Sequence, residues 1–306
     1  MNPALSVILF TTLSGTGYGL WLWLGLRIAL GPRAWDFEPI GWFFALLLGA
    51  ALTSIGIVAS LWHLGKPLRV WRAFSQWRTS WMSREGVMAV ATLAVAVLMV
   101  APLPVPHELV LRPLAALLAL CALGTVCSTA MIYASLKPIP AWRQPLVLPG
   151  YIGFALLTGG LAFAALPQPT EVLRFALPVL AVLAIAMAIL KLVYWRSIDA
   201  SPPPQTRGDA IGLPNRKPSV FERPHTEANY LTREMGFVVA RKHARKLRLF
   251  SLLLFAAVPV ACIVLAIAMS SPWPWLLIAT LSAITGAFLE RWLFFAQAKH
   301  LVMLYY

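Results

Sequence analysis

Eight apolar segments, each near the length that a helix needs to cross a bilayer, divide this sequence of 306 residues. They lie at about 5–29, 39–62, 85–102, 111–135, 146–166, 172–194, 248–269 and 273–298. A helix of roughly 20 residues spans the hydrocarbon core, and every backbone amide within lipid must be hydrogen-bonded inside the protein. The ten-residue alternation of a membrane β-barrel is absent. The sequence therefore predicts an all-α integral membrane bundle of about eight transmembrane helices, as one domain over residues 1–306.

The composition excludes an ordinary soluble domain, because 60% of the residues are hydrophobic and only 12% are charged. The three cysteines, Cys121, Cys127 and Cys262, all lie inside predicted spans and form no Cys-x-x-Cys motif. This pattern supports neither a disulfide framework nor an iron–sulfur site, so we expect reduced cysteines that pack within the bundle. The first segment lacks the basic start and short apolar core of a cleavable signal.

The net charge of +14 is unevenly distributed along the chain. Segment 63–84 carries five Lys or Arg residues and no acid, segment 136–145 carries two and no acid, and segment 191–248 holds twelve against five Asp or Glu. The other loops are close to neutral. Because the basic loops are the second, fourth and sixth, they share one face of an eight-helix protein. The positive-inside rule predicts that this face and both termini are cytoplasmic, in a bacterial inner membrane.

The basic loops have two compatible interpretations. Orientation and attraction to anionic lipid explain most of the charge, and nothing in its distribution calls for nucleic acid. An additional hypothesis is a docking surface for a partner protein. We assign that surface to Lys66, Arg72, Arg84, Arg233, Glu234 and Arg241. The Pro-rich part of segment 195–247 lacks apolar periodicity, which predicts a long basic cytoplasmic loop and not a second domain.

The junction between the second and third segments concentrates the candidate chemistry. His63 and Arg69 follow the second helix, and Ser83, Arg84 and Glu85 begin the third, with Ser83 predicted as its N-cap. A quinone site needs a few polar groups in an apolar, aromatic-lined slot, and one group must exchange protons. His63 has an ordinary pKa near neutrality, and a partly buried carboxyl such as Glu85 exchanges protons in the same range. Alternatively, the helix dipole alone favours an acid in a first turn.

Two further groups of charged residues each have two possible roles. Thr232, Arg233 and Glu234 repeat the hydroxyl–Arg–Glu order of the first junction, either as a second functional site or as a repeated helix start. Glu290 and Arg291 lie inside the eighth segment, where they either neutralise neighbours in the bundle or extend towards the interface.

Histidine positions argue against haem. Of His63, His107, His225, His243 and His300, only the first and last approach span ends on one side. One bis-histidine site is not excluded, but a second pair is lacking, and we predict no haem and no metal in this chain. Motifs for nucleotide binding or hydrolysis are absent.

Three stretches together resemble the membrane anchors of the dimethyl sulfoxide reductase family. They are His63-Leu-Gly-Lys-Pro-Leu-Arg69, Ser80-Trp-Met-Ser-Arg-Glu85 and Met131-Ile-Tyr-Ala-Ser-Leu-Lys-Pro-Ile-Pro-Ala-Trp142. The resemblance covers the whole chain. It implies a haem-free anchor that holds an iron–sulfur electron-transfer subunit and a molybdopterin catalytic subunit, and that exchanges electrons with ubiquinone or menaquinone. It also implies quinone-binding roles for His63 and Glu85, with Arg69 from the same loop.

The long loop and the cytoplasmic bias of the charge resemble most closely the anchors of quinone-linked, cytoplasm-facing sulfite dehydrogenases. This resemblance implies electron flow from sulfite to quinone, with catalysis of sulfite oxidation in a partner and not in this chain. The residues do not reveal the direction, and quinol oxidation by a reductase of the dimethyl sulfoxide type is the alternative.

Two other classes of function compete with this interpretation. A secondary transporter would need discontinuous helices and ionisable groups near the membrane centre. Here most charges lie at span ends, and the fifth to seventh segments are interpreted as having none in their middles. A purely structural anchor would have no quinone site at all.

Overall fold

Eight long apolar helices dominate the structure, a computed structural model that describes residues 3–31, 39–62, 65–101, 107–201, 204–219, 221–222, 227 and 243–305. They are α1 (Leu5–Leu30), α2 (Pro39–Leu61), α3 (Trp81–Val100), α4 (His107–Ala134), α5 (Val147–Ala164), α6 (Thr170–Ala200), α7 (Ala244–Ala268) and α8 (Trp273–Ala296). Each is long and apolar enough to cross a membrane, and the described residues contain no β-strand. The predicted eight-helix membrane bundle is confirmed.

Four helix limits differ from the sequence interpretation by four residues or more: the starts of α3, α4 and α7, and the end of α6. α3 begins at Trp81, four residues before the predicted start, so Ser83 is not the N-cap. That position belongs to Ser80, whose backbone is extended and whose carbonyl accepts from the Arg84 N–H at 3.1 Å. α6 continues to Ala200, beyond the predicted end at 194, because Trp195 is buried against the bundle and keeps the helix packed.

α1 is the central helix of the bundle. It packs against α2, α4, α5 and α8, while α3 packs on α4, and α7 packs on α6 and α8. The contact between α1 and α5 depends on glycine: a Cβ atom at Gly19 would collide with the carbonyl group of Ala155, and one at Gly159 would collide with the backbone of α1. Small residues allow helix backbones to approach closely in a membrane.

The described parts of the predicted basic loops lie at one end of the bundle, which we call the basic end and define as residues 65–80, 135–146, 197–201 and 297–305. A 3₁₀ helix at Pro67–Gln76 joins α2 to α3 there. The Leu301 N–H donates to the Pro138 carbonyl at 3.0 Å, which ties the C-terminal segment to the α4–α5 loop. Which side of the membrane this end faces stays a prediction.

Candidate functional site

A groove of about 610 Å³ lies between α1, α2, α3 and the 3₁₀ helix, at the basic end. Its walls are predominantly apolar. They include Val7, Phe10, Ile57, Val58, Val70, Phe74, Met82, Ala89, Val90 and Leu93. A cleft of this size, with apolar walls and few polar groups, is typical of small-molecule binding sites.

The groove is open towards the side of the bundle. Several of its apolar residues are exposed, including Val58, Met82 and Val90, each more than half accessible. In a membrane-spanning protein, exposed apolar side chains of this kind face the acyl chains of lipid. An apolar ligand dissolved in the bilayer therefore has lateral access to the groove.

Glu85 lies in the wall of the groove, one turn into α3. Its carboxylate accepts a hydrogen bond from the Thr129 hydroxyl of α4, which fixes one carboxylate oxygen. The Thr125 carbonyl of its own helix lies 3.1 Å from the same hydroxyl and is the alternative acceptor for its single proton. Tyr18 of α1 and Tyr133 of α4 line the groove beside the carboxylate. The sequence signal for Glu85 is its acidic character at the start of an apolar segment; Thr129 gives no such signal.

The α2–α3 connection contributes the other predicted groups. Arg69 lines the groove together with Glu85, and so does Lys66, which the sequence interpretation assigns to partner docking. His63 lies outside the described residues. Its sequence neighbours Leu61 and Gly65 both line the groove.

The predicted docking residues outside the groove divide into three groups. Arg72 is exposed on the 3₁₀ helix. Arg84 of α3 hydrogen-bonds to the segment that precedes this helix: its Nε donates to the Trp77 carbonyl at 3.0 Å and its Nη2 to the Arg78 carbonyl at 2.6 Å. The remaining three residues, Arg233, Glu234 and Arg241, lie outside the described residues.

A buried charge cluster joins α6 to α8, and the sequence interpretation missed one member of it. Lys191 Nζ lies 2.5 Å from Glu290 Oε1, and Arg291 Nε and Nη2 lie 2.7 and 2.6 Å from Glu290 Oε2. All three residues are at most 3% exposed. Glu290 and Arg291 therefore neutralise charge within the bundle and do not extend towards the interface. The middle of the sixth segment carries no charge, as interpreted, but Lys191, which the sequence interpretation placed three residues before the span end at 194, lies inside a helix that continues to Ala200 and is buried there.

A second, much smaller cavity lies between this cluster and the groove. It has a volume of about 20 Å³ and is lined by hydroxyl groups of α1, α4 and α5, with Arg291 in its wall. Tyr18 borders both cavities, and Thr129 borders the small one while donating to Glu85. The small cavity and the groove are therefore separated by single side chains.

Potential metal ligands are dispersed among the described side chains. No group of three or more His, Cys, Asp or Glu residues is assembled there in the way a metal site requires. His300 Nδ1 accepts from the Val302 N–H at 3.0 Å, and partial burial lowers the pKa of this imidazole. The side chains of His63, His107 and His225 lie outside the described part, so the absence of haem stays a prediction.

The fold and the groove define a multi-pass helical membrane protein with a lipid-accessible site at the charged end of its bundle. Comparison with known proteins identifies the family. The protein-family model described as "DMSO reductase anchor subunit (DmsC)" matches residues 1–297 of this chain. The chain is also 34% identical to a subunit of the sulfite dehydrogenase of Allochromatium vinosum, over an alignment of 337 residues that covers 100% of this chain and 99% of that relative. The chain belongs to the DMSO reductase anchor subunit family, and is a membrane anchor subunit.

Proposed function

We propose that this chain anchors a molybdopterin and iron–sulfur oxidoreductase to the membrane and exchanges electrons with quinone in the groove beside α3. One observation carries the proposal: an apolar, laterally open groove of about 610 Å³ has Glu85, Lys66 and Arg69 in its wall. Anchors of this family are associated with quinone.

The lining of the groove fits a quinone. Its volume falls within the roughly 300–1,000 Å³ of typical small-molecule sites. The polar groups Glu85, Lys66 and Arg69 suit the oxygens of a quinone ring, whereas Val58 and Val90 offer an apolar, lipid-facing surface for an isoprenoid tail. We infer that the adjoining His63 completes the polar set.

Each residue has a defined task in the proposed reaction. Quinone takes up two electrons and two protons on reduction to quinol, and releases them on oxidation. Glu85 exchanges one of the two protons with a ring oxygen, and the Thr129 hydroxyl orients its carboxylate. The other ring oxygen exchanges its proton with water at the exposed end of the groove, where Lys66 lies. Lys66 and Arg69 supply positive charge beside the ring, which favours the developing negative charge. The electrons arrive from the iron–sulfur partner.

Sulfite is the proposed source of the electrons. The support is the name of the Allochromatium relative, which belongs to a sulfite dehydrogenase and matches this chain over its whole length. The family description instead names a DMSO reductase anchor. The alternative is therefore a reductase complex, which would take its electrons from quinol. In either direction the substrate chemistry takes place in the molybdopterin partner.

The basic end is the proposed docking surface for the iron–sulfur partner. Arg72 is exposed there, and Lys66 is exposed at the mouth of the groove. A protein docked on this end would be close to the quinone site. Arg84 would contribute indirectly, because its guanidinium binds the carbonyl groups of Trp77 and Arg78 and so shapes the surface. Arg233, Glu234 and Arg241 stay sequence-based candidates for docking.

Replacement of Glu85 tests the proposal in the assembled complex. We expect Glu85→Gln to abolish quinone-coupled turnover while turnover with an artificial electron acceptor continues, because only the proton exchange at the groove is lost. Glu171→Gln is the matched control, since Glu171 is an exposed acid in the first turn of α6, outside the groove. Unchanged quinone turnover in Glu85→Gln would remove this residue from the mechanism, and failure of the complex to bind any quinone would refute the site.

A further inference from the structure

The buried cluster of α6 and α8 carries an unbalanced charge. Two cations, Lys191 and Arg291, share the single carboxylate of Glu290, and all three are almost completely buried. Aromatic faces offset part of the excess: Lys191 Nζ lies 3.9 Å from the ring centre of Tyr194, and Arg291 Cζ lies 4.0 Å from that of Tyr151. Burial of a net positive charge is costly, which calls for a compensating negative charge nearby.

The small cavity connects this charge to the groove. Thr12 Oγ1, in a residue 5% exposed, has no hydrogen-bond partner in the part of the chain that the structure describes. Arg291 Nη1 and the Tyr151 hydroxyl, which also line this cavity, face each other, and Arg291 Nη1 makes no further hydrogen bond to the described residues. All three residues line the cavity of about 20 Å³, which is large enough for one water molecule. Its wall also contains Thr129, whose hydroxyl donates to Glu85. A water molecule here would bridge the guanidinium group to the hydrogen-bonding partner of Glu85.

We propose that the Lys191–Glu290–Arg291 cluster acts on Glu85 through a water molecule in this cavity, and that its surplus positive charge favours the carboxylate form of Glu85. The three residues then act as positioning residues for proton exchange and do not touch the quinone. The role in proton exchange rests on the proposed function, whereas the coupling between the cluster and Glu85 does not depend on it.

Other charges near Glu85 have a weaker claim to this role. Among the described residues, the titratable groups that share its surroundings are Tyr18 of α1, Tyr133 of α4, Lys66 and Arg69 of the α2–α3 connection, and the adjacent Arg84. Lys66 and Arg69 are exposed, so water and salt screen them, whereas the cluster is buried and screened much less. Tyr18 borders both the groove and the small cavity, and Thr129 borders the small cavity while bonding to Glu85, so the cluster and Glu85 share the same surroundings.

Infrared titration of the assembled complex tests the coupling directly. The protonated carboxyl band of Glu85 is assigned by its loss in Glu85→Gln. We expect Lys191→Met, which removes a positive charge, to move the titration of this band to higher pH by about half to one unit. Glu290→Gln adds net positive charge and should move it to lower pH by a similar amount. A structural role alone would not give opposite shifts; shifts in one direction, or none, would overturn the proposal.

Further variants separate charge from folding and test the water bridge. Lys191→Arg keeps the charge and should show the original titration of Glu85. The pair Lys191→Met and Lys191→Arg therefore tests the effect of charge even if the complex with Glu290→Gln does not assemble. Thr12→Val removes a hydroxyl from the cavity without changing any charge and should also move the titration to higher pH. Thr280→Val is its matched control, because Thr280 is a buried residue of α8 that bonds its own helix at Leu276. An unmoved titration in Thr12→Val would refute the route through the cavity.

Turnover measurements distinguish this inference from the proposed function. If the complex reacts with quinone, the pH profile of quinone turnover should move in parallel with the infrared band. If quinone turnover is absent but the band still moves in opposite directions, the quinone proposal fails and the coupling stands. If quinone turnover responds to Glu85→Gln while the band ignores the cluster variants, the coupling fails alone.

Discussion

At the scale of single residues, the bond between Thr129 and Glu85 decides how the carboxylate is presented to the groove. A hydrogen bond to a charged group contributes about 1.5–3 kcal/mol. We predict that Thr129→Val lowers kcat/KM for quinone by about tenfold or more. Without the hydroxyl, the carboxylate loses this hydrogen bond, and part of the bond's energy is then missing in the transition state of proton transfer. Steady-state kinetics of the assembled complex measure the change. Thr129→Ser retains a hydroxyl and should recover most of the activity; equal loss in both variants would contradict the role of the bond.

The same residues show what a sequence reveals about a buried site. Glu85 can be selected as an acid at the start of an apolar segment, and Arg69 through the family resemblance; the structure places both in one groove, together with Lys66, which was predicted as a docking residue. Thr129 lies 44 residues from Glu85 along the chain, and only the packing of α3 on α4 brings them together. Lys191 is not visible as a buried charge, because the apolar pattern ends at 194 whereas the helix continues to Ala200.

At the scale of helices, the approach of α1 to α5 sets the position of the polar residues around the small cavity. We predict that Gly159→Ala lowers the free energy of unfolding by about 1–3 kcal/mol, because the added methyl group would force apart the backbones of the two helices. The measurement is the thermal stability of the purified anchor in detergent.

Gly15→Ala is the control for this prediction, since the new methyl group would meet no atom within 4 Å. Equal stability of Gly159→Ala and the unaltered protein would show that α1 and α5 can separate without cost. The number of helices was predictable, because hydropathy and length determine it, but close packing at Gly19 and Gly159 was not. Glycine has no side-chain signature that distinguishes a tight contact from a turn or a lipid-facing position.

At the scale of the whole molecule, the groove, Glu85 and the exposed Arg72 all lie towards the basic end of the bundle. This arrangement keeps the proposed electron transfer short, because the docked iron–sulfur partner and the quinone share one end. The side on which that end lies therefore determines where the catalytic partner works. The positive-inside rule predicts the cytoplasm, since the basic loops contain most of the Lys and Arg residues.

Labelling of single cysteines in intact cells tests this orientation. Arg143→Cys places a thiol in the α4–α5 loop at the basic end, and Glu171→Cys places one at the opposite end; both positions are exposed. We expect a membrane-impermeant maleimide to label Glu171→Cys in intact cells and Arg143→Cys only after the membrane is opened. The unaltered chain controls for the native cysteines, of which Cys121 and Cys262 are buried. The reverse pattern would place the basic end and its catalytic partner outside the cytoplasm, and sulfite oxidation in the cytoplasm would then be excluded.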